Sequence, residues 1–155
     1  MIQIRLISAD ISVEIGRVFY QAIREGAPAY SKEQRAAWAP EPRKGEAWVK
    51  RLAAQQIWGA FDGQHLIGFM TLENQSYVDF AYILAEYQGQ GLFPRLFEPV
   101  EQAARIAGTT TMKTHASLMA RRAFEKVGFD VVTPETVELN GQSFKRFEMA
   151  KQLVD

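Results

Sequence analysis

The chain has 155 residues, 47% hydrophobic and 23% charged, which is enough for one globular domain with a core and too few for two. Its 18 basic and 18 acidic side chains balance, so no strong positive field favours nucleic acid as the main partner. The absence of cysteine excludes disulfides, thiolate metal sites and cysteine nucleophiles. No signal peptide or membrane-length apolar run is present, so we expect a cytoplasmic location without membrane partners.

The hydrophobic pattern predicts an α/β fold. Residues 2–6 alternate like a half-buried strand, and Asp62-Gly63 between two apolar runs is a strong hairpin signal. The first half of the chain is predicted to contain a strand at residues 2–6, a helix that ends at Gly26 and Pro28, and one or two short helices within residues 30–52. Strands at residues 57–61, 66–72 and 77–84 follow, and then a helix to about residue 107. The last part is predicted to contain a strand at residues 111–115, a helix that ends at Gly128, a strand at residues 129–132 and a hairpin of residues 137–139 and 143–149.

Helix caps and topology follow from this order. Asp10 or Ser12 is expected to cap the first helix, and Ser117 the last one. Residues 77–115 read strand, helix, strand, which predicts a right-handed crossover. The strands at residues 77–84 and 111–115 are therefore expected to be parallel neighbours within a mixed sheet.

Residues 82–93 are the most informative part of the sequence. An apolar strand ends here, a turn with two closely spaced glycines follows, and a long helical pattern begins at once. Such a turn directs several backbone N–H groups toward one point at the positive end of a helix, where phosphate binds. A tight loop without a ligand fits the spacing equally well. The Rossmann and Walker motifs do not fit, because residue 94 is proline and no Gly-Lys-Ser/Thr follows.

Residues 88–91 resemble the pyrophosphate loop of the Gcn5-related N-acetyltransferases (GNAT), whose pattern is Gln or Arg, two residues, Gly, one residue, then Gly or Ala. Residues 117–129 resemble the downstream helix of that family with its closing Gly-Phe. The element order is also that of the family, so the resemblance covers nearly the whole chain. Residues 30–40 and the tail resemble a bacterial subgroup, the YafP-like acetyltransferases.

The resemblance implies a mixed, splayed sheet of six to seven strands flanked by about four helices. It also implies acetyl-CoA, a thioester of coenzyme A, as the cofactor. Its pantetheine arm would pair with the free edge of the fourth strand at residues 83–85, while the N–H groups of residues 88–93 would hold the pyrophosphate. Phe93 and Pro94 depart from the family pattern, and we expect them to weaken cofactor affinity. The implied cofactor-binding residues are Ile83, Leu84, Ala85, Gln88, Gly89, Gln90, Gly91, Leu92, Phe93, Ser117 and Phe124.

Transfer to an amine needs a base, because an amine with a pKa near about 10 must lose a proton before it attacks. The candidate bases are Asp79 and His115, although a purely structural role is more common for each residue type. Tyr82 is a weaker candidate for the site, as a proton donor or as part of the substrate wall. Strict strand alternation would place Asp79 and Ala81 on the side that Ile83 faces. A backbone N–H near Tyr82 or Ile83 is expected to polarise the thioester carbonyl.

Two aromatic features complete the expected site. Phe124 stands where many relatives have a tyrosine that protonates the leaving thiolate, so we expect it to pack along the cofactor. The thiolate can leave without a dedicated acid, since a thiol has a pKa of about 8.5.

Tyr30 and Trp38 are expected to form a substrate wall, and core packing accounts for them equally well.

The sequence therefore predicts a single domain over residues 1–155 that transfers an acetyl group from acetyl-CoA to an amine of a small molecule or peptide. Two alternatives stay open: a catalytically degenerate acyl-CoA-binding sensor or interaction module, and a structural domain without ligand. No metal site is expected, because two isolated histidines form no ligand cluster. A homodimer through the final hairpin or the sheet edge is a further expectation.

Overall fold

Seven strands form one mixed sheet in the computed structural model, which describes residues 1–154. The sheet order is β1-β2-β3-β4-β5-β7-β6, and every neighbouring pair in the described chain is antiparallel except β4 with β5. The strands are β1 (Ile2–Ile7), β2 (Gln56–Asp62), β3 (His65–Glu73), β4 (Tyr77–Ile83), β5 (Thr111–Ser117), β6 (Asp130–Leu139) and β7 (Gln142–Gln152). The predicted mixed sheet is confirmed.

The helices are α1 (Ser12–Gly26), α2 (Lys32–Trp38), α3 (Glu46–Ala53), α4 (Leu92–Ile106) and α5 (Arg121–Lys126). The irregular segment at residues 30–52 thus contains two short helices, α2 and α3. α2 begins with a capping box, in which Ser31 Oγ accepts from Gln34 N (3.0 Å) and Gln34 Oε1 accepts from Ser31 N (2.9 Å). None of these helices, over residues 1–154, is both long and apolar enough to cross a membrane.

Neither predicted cap stands at the N-cap of its helix: the N-cap of α5 is Ala120, without a side-chain cap hydrogen bond, and Ser117 caps only the turn before it. Ser117 Oγ accepts from Ala120 N (3.1 Å) in the turn that leads into α5. Neither Asp10 nor Ser12 caps α1. Ser8 Oγ instead accepts from Asp10 N (3.2 Å), because a short 3-10 turn precedes the helix and moves the cap upstream.

The parallel pair β4–β5 separates after a short contact. Only Tyr77 and Val78 of β4 pair with β5, opposite Lys113 and Thr114. The remaining residues of β4 therefore have a free edge on the β5 side, which confirms the predicted splay. At the sheet edge, the two short strands predicted near residues 129–132 and 137–139 form one strand, β6, whose register shifts between Val131 and Thr133.

The core is built from the apolar faces of α1 and α4 against the sheet. α1 contacts β3 and β4, whereas α4 contacts β2 and β3. Burial of these faces is the main stabilising term of the fold. The predicted apolar faces are buried at Ile15, Val18, Phe19, Ala22 and Ile23 on α1, and at Leu96, Phe97, Val100 and Ala104 on α4. Ala107, predicted to continue the face of α4, is exposed because the helix ends at Ile106.

Lys151 ties β7 to two helices. Its Nζ donates to Glu101 Oε1 on α4 (2.6 Å) and to Val127 O at the end of α5 (2.7 Å). Arg105 Nε donates to the other Glu101 oxygen (2.8 Å). Burial alone would raise the pKa of Glu101, but the hydrogen bonds from Lys151 and Arg105 lower the pKa of its carboxyl below the usual value.

We expect Glu101→Gln to lower the free energy of unfolding by about 1 kcal/mol at pH 7, allowing for solvent screening. The pKa of Glu101 is lower in the folded protein than in the unfolded chain. The contribution to stability is therefore fully present at pH values above the unfolded-state pKa, and it is lost as the pH falls through the folded-state pKa. Urea unfolding at neutral and acid pH measures it. Glu125→Gln is the control, since Glu125 lies 3.6 Å from Arg121 on the surface. An equal loss for Glu101→Gln at both pH values would contradict the account.

Candidate active site

Two cavities meet where β4 and β5 separate. One, of about 410 Å³, lies between the end of α1, the free edge of β4 and the glycine turn before α4; we call it the cofactor cleft. The other, of about 290 Å³, lies between β4, β5 and the β6–β7 hairpin; we call it the acceptor cavity. Both are near the size range of small-molecule sites. The residues that line both are Trp38, Ala81, Tyr82, Ser117 and Ala120.

The glycine turn presents unpaired backbone donors to the cofactor cleft. Gly89 and Gly91 have φ values of 73° and 77°, which side chains rarely adopt, and a Cβ at either position would meet nothing within 4 Å. Their requirement for glycine is therefore conformational. In the described chain, the N–H groups of residues 89–91 donate to no protein acceptor, and those of Leu92 and Phe93 lie in the first turn of α4.

Gln88 differs from the other residues of the expected phosphate loop. Its N–H donates to Ala85 O (3.3 Å) within a short 3-10 turn, Ala85–Tyr87, so the available donors begin at Gly89. Its side-chain Nε2 donates to Ile83 O (2.9 Å) at the free edge of β4. Gln88 thus contacts the cleft through its side chain.

The register of β4 distinguishes the two candidate N–H groups for thioester polarisation. Leu84 N donates to Ile67 O of β3 (2.9 Å). Because inward and outward amides alternate in an antiparallel pair, Tyr82 N–H also faces β3, at its partner Phe69. Ile83 N–H, between them, faces the gap toward β5 and is available to a ligand.

Phe93 lines the cofactor cleft and packs against Phe124, which lines the acceptor cavity and not the cofactor cleft. Their ring centroids are 5.0 Å apart in an edge-to-face arrangement, and Phe124 makes a second such contact with Phe129 at 5.1 Å. Phe124 is 2% exposed. The Phe93 ring therefore has a packing partner, while the glycine turn itself stays exposed.

Asp79 is held by three donors from α3 and the residues that follow it. Arg51 donates twice, at 2.9 and 3.0 Å, and Gln55 Nε2 donates at 2.7 Å. The hydrogen bond to Asp79 is the main cause that raises the pKa of Arg51. The expected alternation fails at Asp79, because the register against β3 shifts so that Asp79 and Phe80 both lie opposite Thr71.

His115 lies in a polar cluster with three groups. Tyr77 Oη is 2.7 Å from His115 Nδ1, and Glu135 Oε1 is 3.4 Å from His115 Nε2. Arg146 lies 3.6 Å from the other Glu135 oxygen. Glu135 Oε1 is buried and has no hydrogen-bond partner within residues 1–154. Sequence reasoning missed Tyr77 and Glu135, because only the pairing of β5, β7 and β6 brings them to His115.

Tyr82 is a neutral phenol in the folded protein. Burial is the main cause that raises the pKa of Tyr82 far above its ordinary value. Its ring packs on Phe19 (4.9 Å) and Trp38 (6.2 Å). A phenol with such a pKa does not act as a base, but its hydroxyl can donate a hydrogen bond.

Tyr30 and Trp38 close the acceptor cavity and also pack. Tyr30 Oη accepts from Leu118 N (2.7 Å) and donates to Lys145 O (3.4 Å). Trp38 lies edge-to-face on Tyr30 at 5.4 Å. The α2 region is fixed over the β6–β7 hairpin, because Gln34 Nε2 donates to Ser143 O (2.8 Å) and Asn140 Nδ2 donates to Ala37 O (2.7 Å).

Comparison with known families agrees with this geometry. The family model of the Acetyltransferase (GNAT) domain matches residues 26–153. The chain belongs to this family. The match covers β2 to β7 and most of the lining of both cavities; Phe19, Ala22 and Ile23 of α1, which also line them, lie before the matched residues.

Individual relatives are similar over nearly their whole length. The chain is 29% identical to the uncharacterized N-acetyltransferase YafP of Escherichia coli K12, over 96% of this chain and 94% of that protein. A GCN5-related N-acetyltransferase (aminotransferase, class-II) of Rhodopseudomonas palustris has a TM-score of 0.89 at 25% identity, covering 97% of this chain and 95% of that chain. PaiA N-acetyltransferase of Thermoplasma acidophilum, solved with coenzyme A, has a TM-score of 0.76 at 21% identity, covering 98% and 99%.

Proposed function

We propose that this GNAT-family chain transfers an acetyl group from acetyl-CoA directly to an amine. The observation that carries the proposal is the junction of the two cavities at the splay of β4 and β5. A donor bound in one cavity and an amine bound in the other would meet there. Proximity and orientation of two bound reactants are a large part of what such an enzyme supplies.

Residues of the cofactor cleft suit acetyl-CoA. The N–H groups from Gly89 to Phe93 would hold the pyrophosphate at the start of α4, and the free edge of β4 at Ile83, next to Leu84 and Ala85, would pair with the pantetheine amides. Ser117 lines both cavities, and in this proposal it would contact the arm near its reactive end. Acetyl-CoA supplies an activated acetyl group as a thioester.

In the reaction, the amine nitrogen forms a bond to the acetyl carbon and the bond from that carbon to sulfur breaks. Ile83 N–H stabilises the negative charge that builds on the carbonyl oxygen. The sulfur leaves as a thiolate and takes a proton from water, since Phe124 offers no proton at that position and a thiol pKa of about 8.5 makes the thiolate an acceptable leaving group.

The amine proton goes to His115 through Tyr77 in this proposal. Tyr77 Oη accepts the amine proton while its own proton passes to His115 Nδ1, and the imidazolium is stabilised by Glu135. Burial, the main cause, raises the pKa of Tyr77, which keeps it a phenol before and after the transfer. Asp79 is the weaker base because both of its oxygens already accept hydrogen bonds.

The first test combines binding with kinetics. Coenzyme A should raise the melting temperature, because a ligand that binds only the folded state stabilises it. Thiol release from acetyl-CoA should depend on the added amine, with initial-rate lines that intersect as both concentrations are varied. Since the chain has no cysteine, every thiol detected comes from coenzyme A. Parallel lines would indicate a covalent acetyl-enzyme and would contradict direct transfer. Stabilisation without release from any amine would favour the sensor alternative.

A further inference from the structure

The charge of the acceptor cavity is unusual for a site that must bind an amine. Its charged lining residues are four cations and one carboxylate: Arg43, Arg51, Lys145, Arg146 and Asp79. The carboxylate of Asp79 is already paired with Arg51. Arg146 lies 3.6 Å from Glu135, which does not line the cavity. A simple ammonium ion would therefore enter a positive field and bind weakly.

Within residues 1–154, Arg43 has no anionic partner. No carboxylate lies within ion-pair distance of its guanidinium in residues 1–154, and no side-chain hydrogen bond engages it there. The group is half-buried, and burial together with Arg51 lowers the pKa of Arg43 below its ordinary value. A partly desolvated cation without a partner costs free energy, which a bound anion would recover.

The guanidinium of Arg43 is nevertheless held in a defined place. It lies over the rings of Phe19 (4.6 Å) and Trp48 (5.3 Å), and Arg51 lies over Phe80 (4.4 Å) on the same aromatic cluster. The backbone is fixed as well, since a Cβ at Gly16 would come within 2.0 Å of Arg43 O. A planar, pre-positioned guanidinium is the group that binds a carboxylate through two hydrogen bonds.

We propose that the acceptor is an amine that also carries a carboxylate, of the amino-acid type, and that Arg43 binds this carboxylate. The proposal rests on the proposed transferase function. The carboxylate neutralises Arg43, while the surrounding cations favour the neutral form of the acceptor's amine, which is the form that attacks. The enclosure of the cavity by α2 and the β6–β7 hairpin suits a small molecule of this kind.

The test compares matched ligands and matched variants. Fluorescence of the tryptophans, in the presence of coenzyme A, is titrated with butyrate and phenylacetate and with the corresponding amides. The variants are Arg43→Met, which removes the charge but keeps an unbranched apolar side chain, and Lys44→Met, which removes the same charge from the exposed neighbouring residue. We expect the carboxylates to bind the wild-type protein and Lys44→Met, and to bind Arg43→Met at least about 10-fold more weakly.

A second arm measures acetylation of amino acids, their carboxamides and their decarboxylated amines. We expect kcat/KM to fall at least about 10-fold when the carboxylate is removed from the acceptor, and Arg43→Met to abolish that preference. Equal acetylation of all three series would overturn the carboxylate proposal while the transferase function stands. If carboxylates bind through Arg43 but no amine is acetylated, the anion site at Arg43 would be supported and the transferase function would be overturned. Equal binding of carboxylates and amides to the wild-type protein would overturn the anion site itself.

Discussion

His115→Gln is expected to lower kcat by about 10²- to 10³-fold, because the amine then loses the acceptor of its proton. The coenzyme A-induced rise in melting temperature should be unchanged, since His115 lines only the acceptor cavity. His65→Gln is the matched control: it changes the other histidine of the chain, which lies exposed at the start of β3. Thiol release at saturating acetyl-CoA measures the effect.

Tyr77→Phe separates two routes for the proton. If Tyr77 passes the proton on, its loss should cost nearly as much as the loss of His115, because its hydroxyl, 2.7 Å from His115 Nδ1, would then be the group that meets the amine. Full activity of Tyr77→Phe with an inactive His115→Gln would mean that the amine gives its proton to the imidazole directly. Full activity of both variants would contradict this assignment and return the role of base to Asp79.

Gly91→Ala is expected to weaken coenzyme A binding at least about 10-fold. A left-handed conformation costs an alanine about 1–2 kcal/mol, so the turn should relax and its N–H groups should no longer converge on the pyrophosphate. Gly108→Ala is the matched control, since Gly108 also has a positive φ (82°), also flanks α4 and has open space around it. Both variants should lose similar stability, and only Gly91→Ala should lose affinity in a calorimetric titration. Equal affinities would show that the turn does not hold the phosphate.

The sequence predicts those parts of the fold that depend on local pattern. The Asp62-Gly63 hairpin, the apolar faces of α1 and α4 and the strand–helix–strand crossover are confirmed because each follows from periodicity or turn chemistry within a short window. The Ser8 cap was missed, because a single 3-10 turn moves the helix start without changing the apolar stripe.

The site depends on contacts that no local pattern records. Asp79 is paired by Arg51, 28 residues away, and Glu135 reaches His115 only through the pairing of three strands. A register shift in β4 also breaks the alternation from which the facing of Asp79 was predicted. The roles of individual site residues, the single-domain organisation and the homodimer through the final hairpin or the sheet edge stay predictions.

Transfer of a labelled acetyl group tests the central claim most directly. The protein is incubated with acetyl-CoA carrying a ¹³C-labelled acetyl group and a mixture of amino acids, and the products are analysed by mass spectrometry and NMR. The account predicts one labelled N-acetyl amide for each coenzyme A released, with both products reduced together in His115→Gln. Release of coenzyme A with labelled acetate as the only acetyl product, at the same rate with and without amines, would contradict it.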